Sequence, residues 1–501
     1  MLHPTLRRLT LGALVALLLV PAGARAQSLL SQIEPNVTRF TLENGLTFIV
    51  LERREAPVVS FFTLADVGSV DEPRGLTGIA HMFEHMAFKG TTSLGSRDIA
   101  AELRALEAEE AAYLRLREAR LRGASEAEVA RLEAEFVTLR DAAKALVEDA
   151  AFDQIITRNG GVGLNAFTSA DQTGYLYSLP SNKLELWFAL EADRFRYPVL
   201  REFYQERDVV MEERRLRTES NPIGRLVEEF VSVAFKAHPY GQPVIGHMAD
   251  LQNLSRTEAQ AFFEQYYTAS NLTIAIVGDV DAAEARRLAE RYFGPLPRRP
   301  RPDRVWTAEP PQLGERRVTL VEQSQPFVLM GFHRPAASHA DAPAFTILAD
   351  ILGTGRTSRM YRELVETGLA VGAQVAETFP GEKYPTLMFA LGVPARGVEP
   401  DTLEARMMAV LEDVAENGVT QEEVDRARTR ARASLVGQLE SNLGLAIALA
   451  TAEVNDGDWR ALFRRLDDLD AVSVADVQRV AAETFRVNNR TVATIRTAPA
   501  N

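Results

Sequence analysis

Gly78-Ile79-Ala80-His81-Met82-Phe83-Glu84-His85-Met86-Ala87-Phe88-Lys89-Gly90 is the stretch on which the reading of this chain turns. Read as a helix, it sets His81 and His85 one turn apart on the same face. Two imidazoles so placed can reach one Zn²⁺ at about 2.0–2.1 Å. Glu84 lies on that side too, close enough to take a proton from a water at the ion. Two histidines, a carboxylate base and room for a third ligand make the donor set of a hydrolytic zinc site. The order His-x-x-Glu-His inverts the commoner His-Glu-x-x-His. Plain helix packing is the alternative, but the chain has only seven histidines, and the flanking Ala, Met and Phe already supply an apolar face.

A third ligand is sought downstream. Glu206-Arg207-Asp208-Val209-Val210-Met211-Glu212-Glu213 reads as a helix continuing through Arg217, with Glu206 and Glu213 two turns apart on one face. One of these acids suits the third ligand position, and the other suits an outer position that orients a ligand or a water. Without the histidine pair, such an acid-rich helix reads as a solvated face. Between the two helices, Gly160 to Thr168 is a glycine-rich run leading into a strand through Tyr175 and Tyr177. Glycines before a short strand suit a sheet edge that a peptide can join as an extra strand, although a turn and an ordinary strand explain them equally well.

The N-terminus reads as a targeting segment. Arg7 and Arg8 precede an apolar core from Leu9 to Val20, and Ala24-Arg25-Ala26 supplies a small-x-small cleavage site, so residues 1–26 are expected to be a signal peptide. Export implies an oxidising, periplasmic location. Yet the chain has no cysteine, so stability must rest on core burial. The net charge of −13 argues against nucleic acid and anionic membranes as partners, and no stable membrane span is expected.

Phe40 and Leu42 alternate before Asn44-Gly45, and Leu46, Phe48 and Val50 alternate after it, which predicts a β-hairpin. Val58 to Val67 is a further strand. From Asp98 to Asp149 the composition turns to Ala, Glu, Leu and Arg at helical spacing, broken by Gly123-Ala124-Ser125. This predicts an inserted helical hairpin over 98–150 standing off its domain, either as a spacer stalk or, second, as a docking surface.

The chain also contains a weak duplication. Ser255, Gln260, Asn271 and Thr273 recur as Ser473, Gln478, Asn489 and Thr491, always 218 residues on. Each copy reads as a helix opened by a capping box, then Asn, then a β-rich run. Two homologous α+β domains follow, each a mainly antiparallel sheet with helices on one face. The expected division is 27–294, a proline-rich linker over 295–316, and 317–501. The second half holds only His333 and His339 and no zinc motif.

These residues resemble the inverted zincins of the pitrilysin, insulinase and mitochondrial processing peptidase group. The strongest points are Gly78 to Thr91 and Gly161 to Tyr175, supported by Glu206 to Glu213, His238-Pro239-Tyr240-Gly241 and Asn271 to Gly278. The resemblance implies His81, His85 and Glu213 as ligands of one zinc, Glu84 as general base, Glu206 as a second acid near the metal, and Asn165 and Ala166 as the edge that pairs with substrate. Glu213 stands 128 residues after His85, a longer gap than the family's, and the inserted hairpin accounts for the excess. The resemblance implies a zinc endopeptidase acting on short or unfolded peptides inside a chamber formed by two clamshell halves. It also implies an Arg and, seven residues on, a Tyr in the second half. Here Arg362 to Val371 is one residue shorter, with Val365 and Val371 near those positions. In bacterial relatives of this size the missing pair comes from a similar subunit without zinc ligands, so a paralogous partner is expected. The rival expectations are a self-sufficient homodimer and a non-catalytic scaffold or chaperone-like subunit that has kept its metal site.

Overall fold

The computed structural model describes residues 30–499; the expected signal peptide, residues 1–26, lies outside the described residues. In the first half, β1 (Val37–Thr41) and β2 (Thr47–Glu52) form the hairpin around Asn44-Gly45, and β3 (Val58–Ala65) follows. Helix α1 (Ile79–Met86) carries the paired histidines, and α2 (Ile99–Leu121) with α3 (Glu126–Lys144) makes the inserted hairpin. Helix α4 (Ala151–Arg158) leads to β4 (Val162–Thr168) and β5 (Thr173–Pro180). Helices α5 (Leu184–Arg196), α6 (Phe203–Arg214), α7 (Pro222–Ala234), α8 (Met248–Asn253) and α9 (Arg256–Tyr266) precede β6 (Leu272–Gly278) and α10 (Ala282–Tyr292).

The second half runs β7 (Arg316–Glu322), β8 (Phe327–Arg334), α11 (Ala342–Gly353), β9 (Ala370–Phe379) and β10 (Thr386–Pro394). It continues through α12 (Pro400–Asn417), α13 (Gln421–Gln438), α14 (Asn442–Asp456), α15 (Ala461–Ala471) and α16 (Val474–Thr484) to β11 (Arg490–Thr497).

The first sheet has the order β1-β2-β6-β3-β5-β4 and the second β7-β11-β8-β10-β9. Each is antiparallel except for one parallel pair, β2 with β6 and β7 with β11. Without β1 the two orders are the same. The 218-residue offset falls on the equivalent strands β6 and β11, and on α9 and α16, whose N-terminal capping boxes are Ser255 with Glu258 and Ser473 with Asp476. The duplication is thus a duplication of topology, and the α+β class with two sheets holds.

The expected packing on one face holds for each half's own helices, but the other face of each sheet is not left open. The central strands are apolar on both sides, and β6 is buried along its whole length. One face of the first sheet, with Phe48, Phe61 and Ile274, packs on Trp187, Phe188 and Phe293 from its own half. The other face, with Ile49, Phe62, Leu64 and Val277, is covered by Leu445 and Leu449 of α14 and by Trp459 and Phe463. The exchange is reciprocal. In the second sheet, Leu329, Leu387, Ala493 and Ile495 are covered by Leu226, Phe230 and Val231 of α7, from the first half. Gly331 makes this approach possible, since a Cβ there would stand 2.4 Å from the Phe230 ring.

The inserted hairpin also differs from expectation, for it is no free-standing stalk. Tyr113, Leu116 and Ala119 of α2 and Leu132 and Phe136 of α3 are buried in the main core of the first half. Tyr113 and Phe136 enclose Tyr204 of α6, with ring centroids 4.3 and 5.1 Å from it. At its base the hairpin is tied by Arg201 and Glu102, both fully buried and paired at 2.7 Å. Arg201 also donates to the carbonyls of Lys89, Thr91 and Leu94, the turn that follows α1.

Phe230→Ala is expected to lower the unfolding free energy by about 3–5 kcal/mol, measured by denaturant titration, because it opens a cavity on the far face of the second sheet. Glu102→Ala should cost a comparable ~3–5 kcal/mol, since it strands the Arg201 guanidinium without its partner.

Candidate metal centre

Helix α1 starts where Gly78 adopts φ +89°, and a Cβ at that position would meet the Ile245 carbonyl at 2.7 Å. Glu72 supplies the cap that a glycine cannot: its carboxylate accepts from the amides of Gly78 and Ala80, both at 2.8 Å. Ile79, Met82, Phe83 and Met86 are buried, which fixes the rotation of the helix. His81 and His85 then face α6, with ring centroids 5.0 Å apart and planes at 87°.

Helix α6 delivers the acids. Glu213 Oε2 lies 3.8 Å from His81 Nε2 and 3.6 Å from His85 Nε2. One donor atom from each of His81, His85 and Glu213 falls within 4.8 Å of the others, and this is the only such group among the described residues. Tetrahedral ligands about 2.0–2.1 Å from an ion lie roughly 3.3 Å from one another, so a small contraction would close the set. The other Glu213 oxygen is held by Arg217 at 2.8 Å, which leaves Oε2 facing the imidazoles. Glu84 stands beside the set, with Oε2 4.0 Å from His81 Nε2.

The charge state of His81 suits metal binding. Burial, with the neighbouring His85 and Arg217, pushes the His81 imidazole down to about 3, so it is neutral, the form that ligates. Burial also opposes charge on His85, but its hydrogen bond to Glu206 and the surrounding carboxylates outweigh that and raise its pKa. His85 Nδ1 donates to Glu206 Oε2 at 3.2 Å, so the Nε2 lone pair is the one presented to Glu213 and His81. Glu206 is itself held by Lys89 Nζ at 2.6 Å. Burial works against its ionisation, and the bonds from His85 and Lys89 overcome this to keep its pKa low. Glu206 therefore sits behind His85, on the side away from Glu213. Burial raises the carboxyl of Glu84 above its ordinary range.

Asn165 and Ala166 lie on β4, which pairs only with β5 and forms the outer edge of the first sheet. Their partners are Leu176 and Tyr175, and α1 packs against this strand. Val365 lies in a wide turn over Tyr361–Val365 and packs into the core of the second half, while Val371 is 67% exposed on the edge strand β9. His333 hydrogen-bonds the Ala234 carbonyl at the junction of the two halves.

Several supporting residues escape a reading of the sequence. Tyr204 donates to Glu110 at 2.6 Å, and Glu110 accepts from the Thr257 amide and hydroxyl at 2.9 and 2.6 Å. This chain joins the hairpin, α6 and α9 behind the acids. Glu72 and Lys89 lie close to the motif, but no spacing rule marks them. Only the buried-looking aromatic at Tyr204, one turn from Arg207, hints at a partner.

Comparison with known proteins places this chain in a family. The family described as insulinase, peptidase family M16, matches residues 48–118 and 145–247, and the description "Peptidase M16 inactive domain" matches 253–431. The unmatched stretch between the first two segments covers the tip of α2 and all of α3. "Zinc protease PqqE" of Helicobacter pylori is 28% identical over 97% of this chain and 98% of its own length. "Uncharacterized zinc protease YmxG" of Bacillus subtilis is 21% identical over 90% of this chain and 96% of its own. Among solved structures, a protease from Helicobacter pylori superposes with TM-score 0.77 at 27% identity, over 92% of this chain and 99% of that one. A peptidase M16 inactive domain from Pseudomonas fluorescens gives TM-score 0.72 at 17% identity, over 93% and 98%, a likeness of fold. The chain belongs to the M16, or insulinase, peptidase family.

Proposed function

We propose that this chain is a zinc endopeptidase cleaving short or unfolded peptides, with His81, His85 and Glu213 as metal ligands and Glu84 as general base. The observation that carries the reading is the meeting of three ligand atoms within 4.8 Å beside a fourth acid and an open strand edge. A zinc ion in this set supplies Lewis acidity, acidifying water and polarising a peptide carbonyl. Glu84, with its pKa raised by burial, is suited to accept a proton and pass it to the leaving amine. We assign Glu206 to positioning His85 through Nδ1, a narrower part than that of a catalytic acid. A peptide added along β4 at Asn165 and Ala166 would run past α1.

The same reading divides the chain at the 295–316 linker and sends the mature protein, freed of residues 1–26, to the periplasm. Because α7 and α14 bind the two halves together, the opposite wall of a substrate chamber belongs to a second chain. A paralogue carrying the Arg and Tyr absent at Val365 and Val371 fits that place. Those two valines, with the inactive-domain match over 253–431, also favour a second reading, a non-catalytic subunit that keeps its metal.

Cleavage of a quenched fluorescent peptide library, with and without the paralogue, separates these readings. Turnover by the chain or by the mixture supports the peptidase, and silence in both with zinc bound supports the scaffold. Glu84→Gln should keep zinc, by metal analysis, while turnover falls about 100- to 10,000-fold. His85→Ala should lose both. Glu206→Ala should weaken zinc binding by roughly 10- to 100-fold in a competitive chelator titration.

A further inference from the structure

The second half contains a counterpart of the metal centre. By strand order β9 stands for β4, and by position in the fold α11 stands for α1 and α13 for α6. The 218-residue offset that carries Ser255 to Ser473 carries Glu213 to Ala431. At this place lies a cavity of about 720 Å³, with Ala431 on its wall, between the first turn of α11, helices α13 and α15, and the end of β9. Its size is that of a site for a small molecule.

Its polar wall is not that of a drained metal site. Arg334, the last residue of β8, lines it with a side chain only 1% exposed. Its Nε and Nη1 donate to the Pro335 and Glu377 carbonyls, both at 3.0 Å, and the guanidinium lies over the Phe345 ring. Nη2 is buried with no hydrogen-bond partner. A buried guanidinium N–H without an acceptor is costly, and a carboxylate is its natural complement. Glu377 also lines the cavity, its Oε2 3.9 Å from Arg334 Nη1, so Nη2 is the guanidinium nitrogen left without an acceptor. Glu382 lies on the wall close enough for its charge to act on Arg334, and only its Oε1 is engaged, by Asn455 at 3.0 Å. Arg334 and Glu382 thus offer one place for a carboxylate and one for a cation, on a wall that also carries Asp456, Asp468, Arg464 and Arg465, with Arg465 acting on Glu382.

We propose that this cavity binds a small zwitterion, an amino acid or dipeptide, its carboxylate on Arg334 and its ammonium on Glu382. The site goes beyond the peptidase reading and does not depend on turnover. Calorimetric titration of the full chain with glycyl-leucine, N-acetyl-glycyl-leucine and glycyl-leucinamide tests it. The dipeptide should bind at least about tenfold more tightly than either blocked form, since each blocked form lacks one of the two charges. Glu382→Gln should abolish that preference for the free amine, and Ala431→Phe should fill the cavity and remove binding. His85→Ala should leave binding intact. Cooperative thermal melting serves as the folding control, and if Ala431→Phe does not fold, the near-isosteric Glu382→Gln carries the test. Absence of heat with the wild-type chain overturns the proposal. So does equal affinity for the blocked forms, or binding lost in His85→Ala and kept in Glu382→Gln.

Discussion

Both sheets are apolar on two faces, and each half covers one face of its own sheet and one face of the other's. That constraint shapes the molecule. Helix α7 leaves the first half to cover β8 and β11, and α14 leaves the second to cover β3 and β6. A strand buried on both sides gains roughly twice the apolar burial of a half-exposed one, at about 25 cal/mol per Å², but only while its foreign helix is present. Stability of one half is therefore a property of the other.

The candidate metal centre depends on this arrangement through α6. That helix and α7 are joined by the wide turn over Arg215–Glu219, so the element bearing Glu213 is continuous with the element anchored in the second half. From behind, Tyr113, Phe136 and Glu110 of the inserted hairpin hold Tyr204, and Glu206 is clamped between Lys89 and His85. Ligands held by packed neighbours lose little further freedom when an ion binds, which is how a shell of ordinary contacts raises metal affinity.

Much of this was legible in the residues because it is local. His81, Glu84 and His85 meet through helical spacing alone, the hairpin at Asn44-Gly45 through turn chemistry, and the twin sheets through a fixed offset between Asn271 and Asn489. What could not be read is which surface an apolar face covers. The apolar residues of α14 look the same whether they cover β10 or β6, and those of α2 and α3 look the same whether the hairpin stands free or packs on Tyr204. Glu206 showed its proximity to the metal helix through its two-turn spacing from Glu213. Its place behind His85 depends on Lys89 and on the rotation of α1, which Glu72 and Gly78 set from outside the motif.

The exchange of helices has a consequence for synthesis. The first sheet can pair once β6 has left the ribosome, yet the helix that shields Ile49, Phe62 and Val277 lies some 160 residues further along. Through that interval the nascent chain carries a bare apolar β surface, of the kind that associates with other chains or calls for a holding factor. Completion of α14 and α15, rather than of the first half, is then the moment at which the polypeptide becomes safe from its own aggregation.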